Sequence, residues 1–166
     1  ILHVMPDDLS QSSIFRRNLA KIGAEGYAFD ICMLARQLPL ALELVRACPD
    51  QPLVIDHCGV PDIAGGAFDE WARGMTALAT LPHVSVKLSG IAAYCAAGTL
   101  GLATLRPWTD HVLNAFGPDR MLWGGDWPVV NLGEGLPAWI DLSRDLLAHL
   151  SATEQEKIAQ GTARRA

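Results

Sequence analysis

The feature that most constrains this chain is an alternation repeated five times. A short apolar, β-rich run closes on Gly, Pro or Asp, and a stretch with apolar residues at helical spacing follows. The runs are residues 1–5, 27–33, 53–58, 84–88 and 121–124. The helical stripes are Phe15, Leu19 and Ile22, with Gly23 as a stop; Leu38, Leu42 and Val45, with Pro39 in the first turn; Phe68, Trp71, Met75 and Leu78; Trp108, Val112 and Phe116, ended by Gly117-Pro118; and Trp139, Leu142, Leu146 and Leu150. A last helix starts on the capping box Ser151-Ala-Thr-Glu154. Strands alternating with helices predict βαβ units and a parallel sheet. The stripes are expected to pack on that sheet. Two architectures meet this pattern: a free-standing doubly wound sheet, and a (β/α)₈ barrel of about 250 residues. Neither G-x-G-x-x-G nor G-x-x-x-x-G-K-[ST] follows any run. The strand ends instead carry His3, Asp30, His57, Lys87 with Ser89, and Asp126, which a barrel would gather at one mouth.

Composition narrows the partners. Of 166 residues, 50% are hydrophobic and 19% charged, enough to bury one core and to exclude disorder. The net charge of −5 comes without any Lys/Arg run, so neither nucleic acid nor an anionic membrane is an expected partner, and a small molecule is. Cys32, Cys48, Cys58 and Cys95 form no C-x-x-C pair, which points to a reducing cytoplasm. No apolar stretch nears the length that spans a bilayer, and no leader pattern is present. The chain opens on Ile1-Leu2-His3-Val4, mid-strand and without Met, so an N-terminal portion is expected to precede it.

Each polar strand end has a chemical and a structural reading. In LVIDHCG, period-two alternation puts Leu53, Ile55 and His57 on one face, with Asp56 opposite. His57 is then either a mouth residue or a hydrogen-bonded structural histidine. In MLWGGDW, Leu122, Gly124 and Asp126 share the inner face, and the glycines leave room beside the carboxylate. A carboxylate in so dry a place is costly unless paired or working, so Asp126 is a general base, a metal ligand, or a cap. In VSVKLSG, Lys87 and Ser89 share a face and are candidates to hold substrate oxygens, though a strand-end lysine also pairs with carboxylates. Asp30, Gln37 and His3 are further substrate-site candidates, and Trp127 an apolar wall. His83, His111 and His149 are expected at the surface.

DHCGVPD, VSVKLSGI and FGPDRMLWGGDWPV, in this order, resemble the last strands of the amidohydrolase-related family, in its branch of sugar-lactone and 2-pyrone-4,6-dicarboxylate lactonases; the terminal QGTARR is similar to that family's ending. The resemblance implies a (β/α)₈ barrel of which residues 1–166, as one domain, supply strands four to eight. His57 would be the sixth-strand histidine and Asp126 the eighth-strand aspartate. The family's first-strand H-x-H occurs nowhere here, and YAFDICM has no second ligand, so one divalent metal, zinc or manganese, is the most that would bind, with metal independence also open. Cys32 stands where a tyrosine for the pyrone dicarboxylate would align, which turns the expectation toward sugar-type lactones.

The expected function is hydrolysis of a lactone by an activated water, with Asp126 taking the proton and His57, alone or with the metal, polarising the carbonyl. A metal-dependent amidohydrolase or decarboxylase, and an inactive barrel fragment, are the alternatives. Open strand edges at residues 1–5 and 121–124, with a trough lined by Leu53, Ile55 and Leu122, predict self-association of the isolated chain.

Overall fold

The computed structural model describes residues 6–165. The run at residues 1–5, with the candidate His3, lies outside the described residues.

Strands β1 (Phe29–Ile31), β2 (Leu53–Ile55), β3 (Val84–Leu88) and β4 (Met121–Trp123) form one parallel sheet in chain order. Helices α2 (Leu38–Ala47), α3 (Phe68–Ala79) and α4 (Leu102–Phe116) make the crossovers, α1 (Ser13–Ala24) precedes β1, and α5 (Gly135–Leu147) and α6 (Ala152–Glu156) follow β4. A doubly wound sheet reverses its strand order at a switch point. The described order 1-2-3-4 has no reversal and is that of consecutive barrel strands. The helices begin and end where the punctuation requires: Pro39 sits in the first turn of α2, Gly117 terminates α4, and Ser151 and Glu154 cap α6 reciprocally. Gly23, expected as a stop, is instead inside α1, which runs one residue further.

The direction of the β2 side chains differs from the expected one. Leu53 and Ile55 belong, with Ile31, Val84, Val86, Leu88 and Met121, to the apolar core shared with Leu44, Trp71, Met75, Leu78 and Val112 of the helices. By the strand pleat and the observed register, Asp30, Val54, Ser85, Lys87 and Leu122 point to the opposite, inner face. The expected trough of Leu53, Ile55 and Leu122 is therefore absent: their exposures are 1%, 1% and 6%. The reason is that β2 is apolar on both sides, so alternation within it does not say which side meets the helices.

Two motifs that looked family-specific act in packing. The Arg120 guanidinium donates to the carbonyls of Ala79 (2.9 Å), Leu81 (3.0 Å) and Val84 (3.1 Å), joining the end of α3 to the start of β3. The buried Thr162 hydroxyl donates to the carbonyls of Pro118 (3.2 Å) and Asp119 (3.3 Å), seating the chain end below β4. Among the described residues, no helix is long and apolar enough to cross a membrane.

Candidate active site

The C-terminal strand ends bring His57 and Asp126 together, and both reach that place through unusual backbone. After β2 the chain turns left-handed at His57 (φ 52°), Cys58 (φ 54°) and Val60 (φ 43°), none of them glycine. Such conformations cost on the order of 1–3 kcal/mol each and persist only where the surroundings dictate them. Here the Trp71 indole N–H donates to the Cys58 carbonyl at 2.7 Å, the Val60 N–H donates to the His57 carbonyl at 3.0 Å, and the Cys58 thiol lies 3.5 Å from the Lys87 carbonyl. Cys58 is wholly buried, which pushes its thiol up to about 12, so it is an inert packing group. The turn re-aims His57: its parity on β2 would face it to the helices, and the positive φ carries its ring to the mouth.

The ring is then fixed from below and from one side. Its Nδ1 lies 2.8 Å from Ser89 Oγ. Gly90, itself at φ +71°, lies under it so closely that an added Cβ would come within 2.9 Å of three His57 atoms. The other ring nitrogen, Nε2, lies 3.7 Å from Asp126 Oδ1. Asp126 also has positive φ (52°), and its Oδ2 is buried without a hydrogen-bond partner among the described residues. Burial pushes the Asp126 carboxyl above the ordinary value; the charge of His57 opposes that and Asp56 adds to it. An unsatisfied, dehydrated carboxylate oxygen beside an imidazole is what a general base for water requires. Gly124 provides the space, since a Cβ there would meet Ser89 Cβ at 3.2 Å and the Lys87 stem at 3.5 Å.

The other candidates divide. Lys87 donates to Asp30 (2.7 Å) and to Asp56 (2.5 Å), so it ties β1, β2 and β3 together and its ammonium is already held by carboxylates. Ser89 is completely buried and its hydroxyl meets His57, which makes it a positioning residue and not the substrate-oxygen holder expected. Gln37 is also buried: its Oε1 accepts the Leu34 N–H at 2.9 Å and its Nε2 donates to Asp7, so it builds the turn before α2. Trp127 is 73% exposed beside Asp126, where an apolar wall is available. Of the three expected surface histidines only His149 is exposed; His83 and His111 are half-buried, and His111 packs on Phe68 and Trp71.

Three residues enter the site that strand reading passed over or placed elsewhere. Asp56 was expected to face away from the mouth, and instead pairs with Lys87. Cys32, Asp56 and His57 bring one ligand atom each within 4.8 Å of one another. Tyr94 is in the turn after β3, where burial raises its phenol above the ordinary value and the Asp126 and Asp56 carboxylates add to that. The parity of Lys87 was the available signal for Asp56, because an inner lysine needs an inner acid. Nothing local in the sequence singles out Tyr94.

The profile of the amidohydrolase family matches residues 1–166. An L-fucono-1,5-lactonase of Burkholderia multivorans is 33% identical over 161 residues, which is 91% of this chain and 54% of that protein. An L-fucono-1,5-lactonase of Burkholderia ambifaria is 35% identical over 127 residues, 76% of this chain and 43% of that protein. The chain thus spans about half the length of the curated relatives it matches. The crystal structure of a Burkholderia multivorans amidohydrolase with bound zinc superposes with a TM-score of 0.92 at 32% identity, covering 98% of this chain and 61% of that one.

Proposed function

Because this chain belongs to the amidohydrolase family, we propose that its strand-end mouth hydrolyses a lactone, with Asp126 as the general base and His57 as its partner. The sheet is a consecutive portion of a (β/α)₈ barrel, and the C-terminal mouth is where that fold keeps its chemistry. The observation that carries the reading is the His57–Asp126 pair at 3.7 Å with Asp126 Oδ2 left unsatisfied. Asp126 Oδ2 takes a proton from water as the oxygen adds to the lactone carbonyl. His57 Nε2, steadied by Ser89 on the far nitrogen, lies beside the developing oxyanion. On collapse the ring C–O bond breaks and the proton on Asp126 passes to the departing alkoxide, giving a hydroxy acid.

The donor chemistry of the mouth fits a divalent cation: a buried orphan carboxylate oxygen, an imidazole with Nε2 to offer, and a thiol and second carboxylate within 4.8 Å. His57 would hold such an ion. Bound there, the ion would supply Lewis-acid polarisation of the carbonyl. The zinc in the similar Burkholderia multivorans structure supports this reading.

Asp30 and Asp56 meet the Lys87 ammonium at the mouth, and Asp126 meets His57. The class named for the two Burkholderia relatives, a sugar lactone, is the substrate this reading takes. The test is Asp126→Asn in the intact protein, assayed on L-fucono-1,5-lactone with a pH indicator. The amide keeps the shape but accepts no proton, so turnover is expected to fall about 10²–10⁴-fold. Unchanged turnover would assign Asp126 a purely structural role.

A further inference from the structure

Cys32 follows β1 directly, and Asp56 follows β2 directly; since Ile31 pairs with Ile55, the two stand side by side on the inner face. His57 comes next in the turn, with Nδ1 directed at Ser89, so Nε2 is the nitrogen it can offer. Asp56 meets Lys87 through Oδ1, which leaves its Oδ2 for another partner. The thiol, a carboxylate oxygen and a ring nitrogen lie within 4.8 Å of one another, all partly buried, and Asp126 falls outside that trio.

We propose that Cys32, Asp56 and His57 form a three-ligand site for a zinc-class cation, with Asp126 off the metal as the proton acceptor. A carboxylate ligated to a cation is a poor base, so the separation gives each group one task. Sulfur with imidazole and a carboxylate selects zinc over magnesium, calcium or manganese, and three protein ligands leave the open position that catalysis uses. Side-chain adjustments of about 1 Å bring the three atoms to ordinary zinc distances of about 2.0–2.3 Å. A dication also offsets the surplus of carboxylates over Lys87. The role given to Asp126 rests on the lactone-opening reading; the ligand set is measured without substrate and stands or falls separately.

The experiment is Co(II) titration of the metal-stripped intact protein, followed by absorption. About one equivalent is expected to bind with a near-ultraviolet sulfur-to-cobalt charge-transfer band. Cys32→Ser is expected to lose the band and to weaken zinc at least ~10-fold. Cys95→Ser, whose native thiol lies 3.7 Å from the Ile91 carbonyl, keeps both. Asp56→Asn keeps the band with weaker binding, so a folding failure of the Cys32 variant does not end the test. Asp126→Asn keeps the band at full affinity. No cobalt uptake, cobalt bound without a sulfur band, or a band that survives Cys32→Ser overturns the site; loss of the band in Asp126→Asn overturns the separation of base from metal. An intact band in a protein that opens no lactone would fail the hydrolytic reading alone.

Discussion

At the scale of single residues, the site depends on backbone conformations that side chains usually avoid. His57, Cys58, Val60 and Asp126 all sit at positive φ, and the residues that make those conformations tolerable are glycines and an indole nearby. Gly90 is the most exacting. Its φ of +71° disfavours any L side chain, and a Cβ would sit 2.9 Å from His57 Cβ, Cγ and Nδ1. Gly90→Ala is therefore expected to push the imidazole away from Ser89 and Asp126, to cost about 2 kcal/mol in urea unfolding, and to lower lactone turnover well beyond what that destabilisation explains. Normal turnover in a destabilised Gly90→Ala protein would show that the ring position is not what the glycine protects.

At the scale of elements, Lys87 is the tie between strands. On β3 it reaches across β2, with Asp56 at its end, to Asp30 on β1. Lys87→Met leaves two carboxylates facing each other without a cation. The expected loss is about 2–3 kcal/mol by urea unfolding at neutral pH, below the ~3–5 kcal/mol of a fully buried pair because Asp30 is half exposed. Burial pulls the ammonium's pKa down, but the hydrogen bonds and charges of Asp30 and Asp56 outweigh it and leave it raised. The sign follows: the stabilisation is complete below the ordinary lysine value of about 10.4 and fades as pH rises through the raised folded value. Wild type and Lys87→Met should converge above that window. A difference independent of pH would mean that packing of the stem, not its charge, holds the strands.

At the scale of the whole molecule, β4 is paired on one side only among the described strands. Beside that edge, Trp127, Val129 and Leu132 are 73%, 40% and 79% exposed. An unpaired strand edge next to apolar surface invites partners. The 166-residue chain expressed alone is accordingly expected to self-associate and to show no lactonase activity, measured by size-exclusion chromatography with light scattering and a lactone assay. A monodisperse, active monomer would show that the edge needs no cover and that the mouth is complete as it stands.

The alternation of strand and helix was legible because the periods 2 and 3.6 are local properties, as were the capping box of α6 and the stop after α4. Lys87 and Asp126 were legible as strand-end groups because polar residues at the ends of apolar runs are costly without a partner. Three things were decided only by tertiary structure. β2 is apolar on both faces, so only membership of the core shared with the helices told Leu53 and Ile55 from Val54 and Asp56, and a one-residue error in parity exchanges the two faces. The left-handed turn at His57 follows from contacts with Trp71, more than ten residues away along the chain, and not from any glycine at that position. Cys32 and Asp56 became neighbours through the register of β1 on β2, a distance in space that no spacing along the chain encodes.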